Sequence, residues 1–391
     1  MNVPQQTAVE ISIGLLAWNE EESIAITLRS LFQQSLFTEL GKRGARCEII
    51  VVANGCSDQT AKIAAGTLHQ LMESTPVGEV ASARVADVPQ RGKANAWNLF
   101  VHEFSSPGAR CLFVMDADIV FSKTATLWNM FEALFQNPDA VAVVDQPQKD
   151  VSLKPRKSLM DYVSLATSSM TQSDSAQLTG QLYGIRAEHA RRIYLPRDVM
   201  VEDGFIKAMV CTDGFTTTLD AGRIIRAPEA GHVFEAYATP AAVIRNQKRQ
   251  IIGQTMLHAL LDKEMKEVMT RDRRAVATLL RERDELDPGW LRRLVNTHVR
   301  QTRHFWQLFP GVLTFRWKRW AKLGAAKKVR FLPAALMGFG VTLLSCWLAW
   351  RFLKRGFDKY WPDTRSPGLN TLQTIPVSTD NLAINNIVST S

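Results

Sequence analysis

The sequence predicts an α/β protein with a mostly parallel, mixed sheet, followed by a helical C-terminal segment that associates with a membrane. Three observations carry this. Over residues 9–145, short apolar runs alternate with stretches of helical periodicity, the mark of βα units. An acidic pair, Asp116-Ala117-Asp118, stands at the end of one apolar run, where ligands bind in open α/β sheets. Phe331–Trp350 runs for 20 residues without a charge.

Ile11–Ala17 reads as a buried strand. It leads into Asn19-Glu20-Glu21-Glu22, then Ile24, Leu28, Leu31 and Phe32 at helical spacing, with acids placed to complement the helix dipole. Glu48–Ala53 is a second strand that closes on Asn54-Gly55-Cys56-Ser57-Asp58, with Asp58 as the cap of a helix running to about Met72. A third strand near Arg84–Val88 runs into Arg91-Gly92-Lys93 and a helix with Ala94, Trp97, Val101 and Phe104 on one face. Trp97 belongs to the core. Cys111–Met115 is a fourth strand and Ala140–Val144 a fifth.

Residues 146–260 are less regular. A helix is expected around Ser158–Met170, and Val201-Glu202-Asp203-Gly204-Phe205 opens another. Thr216–Ala227 reads as a strand or hairpin. Residues 261–298 are dense in charge of both signs and predict a solvated helical pair broken at Asp287-Pro288-Gly289. Arg303–Arg330 interleaves aromatic and basic residues, as interfacial helices do. As a helix, Phe331–Trp350 would be about 30 Å long, enough to cross a bilayer. Its Pro333, Gly338 and Gly340 leave an interfacial or buried helix open. The polar tail, 362–391, is expected to be disordered. The units expected are therefore 9–260 (a nucleotide-binding half, 9–145, and an acceptor half, 146–260), a charged and aromatic-basic region at 261–330, the apolar helix at 331–350, and the tail. With every βα unit upstream, truncation after Gly324 is expected to leave a folded domain.

The net charge is +9 and the pI about 9.4, which points to an anionic partner. No nucleic-acid signature accompanies the basic residues between Arg271 and Lys359, so a membrane surface is the expected partner and nucleic acid is not. Lys and Arg are denser before the apolar stretch than after it, which puts the catalytic part in the cytoplasm. The polar N-terminus has no signal-peptide core. Five cysteines, Cys47, Cys56, Cys111, Cys211 and Cys346, lack metal-ligand spacing and read as reduced thiols. Cys56 and Cys111 read as packing residues.

Two carboxylates two residues apart, Asp116 and Asp118, can hold a hard divalent cation together with diphosphate oxygens; alone, such a pair is more often an acidic loop. Arg91 and Lys93 follow another strand end and supply cations for a phosphate. Glu202-Asp203 lies further along, in a chain with no Ser–His or Cys–His nucleophile pair. A carboxylate that deprotonates a hydroxyl is what direct group transfer needs.

These motifs, with Trp18-Asn19-Glu20-Glu21, Val51–Asp58, Asn98 and Gly180–Arg186, follow in the order of a family 2 glycosyltransferase of the GT-A fold, which residues 9–250 resemble. The resemblance implies inverting transfer of a sugar from a nucleotide-diphosphate sugar, with Mn²⁺ or Mg²⁺. It places Asp118 on the metal, Asp116 near ribose and metal, and Asp58 and Lys93 on the nucleoside and phosphates. Asp203 would be the general base, with Glu202 in support. Asn54 stands where many members place an Asp against the base, which leaves the preference for uridine unsettled. Processive members carry Gln-x-x-Arg-Trp after the base; here Arg245–Gln250 has no Trp, which favours single-sugar transfer. Arg245 and Arg249 still face one way on a helix and can grip a diphosphate. His232 is a candidate third metal ligand, against the ordinary reading of a loop histidine, and Glu235 a weaker candidate. Tyr183 and Arg186 either border the acceptor site or belong to an ordinary buried strand. The acceptor expected is a lipid-linked saccharide in envelope or exopolysaccharide assembly. The alternatives are a polyprenyl-phosphate sugar synthase, or a non-catalytic sugar-nucleotide-binding component of an assembly complex.

Overall fold

The computed structural model describes residues 9–154, 176–236, 239–265, 275–309, 311–321 and 324–356. The expected helix at Ser158–Met170 and the tail at 362–391 lie outside them. The strands are β1 (Val9–Ala17), β2 (Arg46–Asn54), β3 (Ala81–Val88), β4 (Cys111–Asp116), β5 (Ile119–Phe121), β6 (Ala142–Val144), β7 (Gln148–Lys149), β8 (Leu182–Arg186), β9 (Ile224–Arg226) and β10 (His232–Phe234). Seven of them form one sheet in the order β3-β2-β1-β4-β8-β6-β9. β8 runs antiparallel to both β4 and β6, and the other pairings are parallel. β10 joins β5 antiparallel and β7 parallel in a small second sheet. The expected α/β fold with a mostly parallel mixed sheet is the observed one.

The helices are α1 (Ile24–Phe32), α2 (Leu36–Lys42), α3 (Thr60–Ser74), α4 (Val77–Val80), α5 (Lys93–Leu99), α6 (Thr126–Gln136), α7 (Ala187–Ala190), α8 (Glu202–Cys211), α9 (Pro240–His258), α10 (Val276–Leu286), α11 (Trp290–Gln301), α12 (Phe305–Leu308), α13 (Val312–Ala321) and α14 (Ala325–Lys354). Both faces of the sheet are covered, and side-chain alternation along each strand feeds two cores. Ile13, Leu15, Ile49, Val51 and Phe113 pack with α1, α2, α3 and α6. Leu16, Ile50, Val52, Leu112 and Val114 pack with α5, α8 and α9. Cys111 and Trp97 are buried, as expected, whereas Cys56 is only half-buried, with its Sγ accepting from Asn19 N–H.

The C-terminal half departs from expectation in three places. Thr216–Ala227 yields only the three-residue β9, because the chain after α8 turns through Asp213, Gly214 and Phe215 at positive φ and then a 3-10 turn at Ala221–Arg223. The charged pair is present as α10 and α11, broken at Asp287–Gly289, but it is not merely solvated: Leu280, Trp290, Leu291, Val295 and Val299 join the core that holds Trp97. The density of charge hides this apolar stripe in the sequence. The apolar stretch lies within a longer helix, α14, of which Ala335–Lys354 is long and apolar enough to cross a membrane. Its Cys346, Ala349 and Leu353 also enter that core. A chain cut after about Gly324 would lose these contacts and bare the surface of α9 that they cover.

Candidate active site

The carboxyl ends of β1, β2 and β4 open into a cavity of about 510 Å³, which also draws lining from the residues before α8 and from one face of α9. This size is typical of a small-ligand site. Two tight turns shape its rim. Gly55 has φ +65°, and a Cβ there would stand 2.8 Å from the Arg91 backbone; Gly92 has φ +140°. Only glycine allows these two turns to touch.

Asn54 ties them together. Its amide nitrogen donates to the Ala17 carbonyl at 2.9 Å, and its amide oxygen accepts from Gly92 N–H at 2.9 Å. A carboxylate could not make the first bond, which accounts physically for Asn at this position. Both polar ends of Asn54 serve the backbone, and one amide N–H and one oxygen lone pair are left over on a residue that lines the cavity. Arg91 stacks over the Trp18 ring, 3.7 Å from its centroid, on the cavity wall. Asp58 lies outside the lining: its carboxylate accepts from Thr60 N–H and Oγ1 at the start of α3 and from Glu21 N–H. The N-cap position itself is Gln59, so Asp58 stands one residue earlier than expected and reaches the first helical N–H from there.

Lys93 opens α5 and reaches across the cavity. Its Nζ stands 2.7 Å from Asp116 Oδ1, 2.9 Å from Glu202 Oε1 and 3.1 Å from the Gly180 carbonyl. A Cβ on Gly180 would fall 2.7 Å from Glu202 Oε1, so glycine keeps room for this strap. Burial works against the ammonium, but Asp116 and Glu202 override it and hold it well above the ordinary lysine range. All three ammonium donors are occupied, so a phosphate contact requires exchanging one of them.

Asp116 ends β4, and Asp118 sits in the tight turn into β5, pinned by the Thr27 hydroxyl donating to the Ala117 carbonyl at 2.8 Å. Burial raises the Asp116 carboxyl, with Lys93 opposing. Burial and the charge of Asp116 push Asp118 up to about 6. Glu20 goes up to about 8, through burial and then Asp118; Glu235 goes to about 7, through burial and then Asp150. Four carboxyls around one end of a cavity resist ionising together, which is the condition that a bound cation relieves. Among the described residues no three His, Cys, Asp or Glu side chains form a complete ligand set.

His232 is fully buried behind this cluster and does not line the cavity. Its Nδ1 lies 2.7 Å from Asp145 Oδ2, while its Nε2 and Glu235 Oε2 are buried without a partner. With Nδ1–H donating to Asp145, the lone pair of Nε2 is left available. A cation held by Asp116, Asp118 and substrate oxygens fits this donor set, and among the described residues His232 and Glu235 do not group with the two aspartates as a third side-chain ligand.

Glu202 and Asp203 open α8, where the helix dipole favours acids. Gly253 of α9 abuts the preceding Val201, whose Cγ2 a Cβ would overlap at 1.8 Å, and this contact fixes where α8 begins. The two acids then diverge. Burial would raise Glu202, but Lys93 overrides it and the carboxyl is lowered. Asp203 is pushed up to about 6 by burial and by the charge of Glu202, while its Oδ1 accepts from Gly204 N–H at 2.7 Å. One acid is a fixed anion, and its neighbour is poised to exchange a proton near neutrality.

Ala242, Arg245, Asn246, Arg249 and Gln250 form the cavity face of α9, as the spacing of the two arginines predicts. Tyr183 and Arg186 are structural. The Tyr183 hydroxyl accepts from Trp97 Nε1 at 2.6 Å, and Arg186 donates to the carbonyls of Ala140, Leu134 and Asn137. Sequence reasoning missed Glu20, Asp145, Arg197 and Arg292. Glu20 and Asp145 follow apolar strands just as Asp116 does, and that signal could have found them. Arg197 and Arg292 sit in an irregular stretch and a charged one, where no pattern marks them.

Residues 12–193 match the family model described as Glycosyl transferase family 2. Among solved structures, the chain is similar to the mannosyltransferase PcManGT from Pyrobaculum calidifontis in complex with GDP-Man and Mn²⁺, at 16% identity and a TM-score of 0.48 over 90% of each chain. It is also similar to glucosyl-3-phosphoglycerate synthase from Mycobacterium tuberculosis in complex with Mn²⁺, UDP and glucosyl-3-phosphoglycerate, at 15% identity and a TM-score of 0.40. That match covers 64% of this chain and 79% of the other. No curated protein matches the chain.

Proposed function

We propose that this chain, which belongs through residues 12–193 to glycosyl transferase family 2, is an inverting, metal-dependent enzyme that moves one sugar from a nucleotide-diphosphate sugar to a membrane-associated acceptor. The observation that carries the reading is the arrangement around one ammonium: Lys93 bridges Asp116, of the Asp116-Ala117-Asp118 pair, to Glu202, whose neighbour Asp203 is raised to about 6.

Asp116 and Asp118 would hold the Mn²⁺ or Mg²⁺ ion, which when bound neutralises charge on the diphosphate leaving group. Arg245 and Arg249 would steady the diphosphate from α9. The acceptor hydroxyl attacks the anomeric carbon from the face opposite the diphosphate; the new C–O bond forms as the old one breaks, and Asp203 Oδ takes the hydroxyl proton. Glu202 keeps Lys93 in place and, by its charge, raises the basicity of Asp203. Among the described residues that line the cavity there is no Ser, Cys or His, which supports single displacement. The resemblance favours a UDP-sugar donor and a lipid-linked saccharide acceptor at the cytoplasmic face of a membrane, as in envelope or exopolysaccharide assembly.

Arg197 and Arg292 line the same cavity, which favours a second reading: a phosphate acceptor, as in polyprenyl-phosphate sugar synthesis, needing no base. The test is a panel of nucleotide sugars assayed for metal-dependent nucleotide release, with the anomeric configuration of the product read by NMR. Inversion with an alcohol acceptor supports the first reading. Transfer only to a phosphate supports the second, and silence across the panel removes both.

A further inference from the structure

Among the described residues nothing covers the outward side of α14, and its pattern is unlike that of a solvated helix. At 100° per residue, Leu332, Leu336, Met337, Leu343, Leu344 and Trp347 fall within an arc of about 140°, and all are exposed. No charged residue interrupts that arc before Arg351. The buried positions Ala335, Thr342, Ser345, Cys346, Ala349 and Leu353 fall on the opposite arc, against α9, α11, α12 and α13. The helix is therefore apolar on two sides, one against the protein and one outward.

We propose that the outward arc of α14 docks on an anionic lipid surface and lies along it without crossing it. The inner arc argues against crossing. From Ala335 to Leu353, about 27 Å of helix, one side is continuously occupied by protein. A crossing helix would carry α9 with it. There Lys248 Nζ sits 4.5 Å from the Phe352 ring centroid, and Arg245 and Arg249 face the cavity. Crossing would draw this charged face of α9 towards the hydrocarbon along with α14, which is strongly disfavoured.

Charge selects the partner. Residues 288–357 hold fourteen Lys and Arg and no Asp or Glu, so this segment contributes +14 and the rest of the chain −5 to the net +9. Exposed Arg351, Lys354 and Arg355 follow the outward arc, and Arg351 packs over Trp347 at 4.7 Å, a cation–aromatic pair suited to a headgroup layer. A second copy of the chain would bring the same positive surface and repel; an anionic bilayer attracts it. Because α9 is packed against α14 on one side and lines the cavity on another, docking sets the cavity at headgroup level. That last step rests on the acceptor reading above; the docking surface itself does not.

The test uses the full chain and sedimentation with phosphatidylcholine vesicles, with and without phosphatidylglycerol. Binding should be at least about tenfold tighter with the anionic lipid and should weaken with salt. The triple variant Leu336→Glu, Leu343→Glu, Trp347→Glu alters exposed positions only. It should keep its melting temperature and its donor-only nucleotide release while losing about a hundredfold in vesicle binding. In sealed inside-out vesicles, tags at both chain ends should be digested together. The proposal is overturned if the triple variant binds vesicles like the parent, if one tag is protected, or if the variant only converts a dimer to a monomer. Failure of the glycosyltransferase reading would show separately, as silence in the donor panel with lipid binding intact.

Discussion

Asp203→Asn separates chemistry from binding. The carboxyl of Asp203 is raised to about 6 by burial and then by the charge of Glu202. A base must be unprotonated to act, so transfer by the parent enzyme should fall as pH drops through 6. The ionised fraction goes from about 0.97 at pH 7.5 to about 0.09 at pH 5, a loss of about tenfold in kcat/KM. Asparagine keeps an oxygen to accept from Gly204 N–H, so the start of α8 should hold its shape. The variant loses basicity and one of two carboxylate acceptors, since Gly180 N–H also donates to Asp203. Its transfer should drop by about 10²–10⁴, with donor affinity within a few-fold and the acid limb gone from the residual rate. The assays are labelled-sugar transfer across pH and calorimetric donor binding on the same preparations. Near-normal transfer, a limb that survives in Asp203→Asn, or a loss of donor binding that accounts for the whole defect would each refute the assignment.

Asp118→Asn should make donor binding insensitive to Mn²⁺ or Mg²⁺ and cut turnover by orders of magnitude, measured by nucleotide release with and without chelator. Asp145→Asn should weaken Mn²⁺ affinity by about 10–100-fold in calorimetric titration with nucleoside diphosphate present, if Asp145 fixes the tautomer that points a lone pair of His232 at the ion. Asn54→Asp, although it places an acid where many relatives have one, leaves the buried Ala17 carbonyl with the weak Cys56 thiol donor in place of the amide and should cost about 1–3 kcal/mol in chemical denaturation. Truncation after Gly324 should lower the melting temperature as well as lipid binding, because Cys346, Ala349 and Leu353 leave the core; an unchanged melt would mean that α14 adds nothing to it.

The sequence by itself determined the βα half of this protein, because parallel strands buried on both faces must be continuous apolar runs and because helices reveal themselves by period. Asp116, Asp118, Lys93, Glu202 and Asp203 were legible for the same reason: each sits next to the end or the start of such an element. What a pattern along the chain could not hold was contact between distant segments. That Lys93 clamps Asp116 to Glu202, which lies 86 residues beyond Asp116, depends on the approach of α5, α8 and β4 in space. The buried stripe of α10 and α11 was masked by charge, since Asp284 is stable inside only where Tyr194, Trp290 and the Arg197 N–H satisfy it. The double apolar character of α14 was equally hidden: hydropathy sums around a helix, and only packing against α9 decides which half of its surface is left to meet another phase.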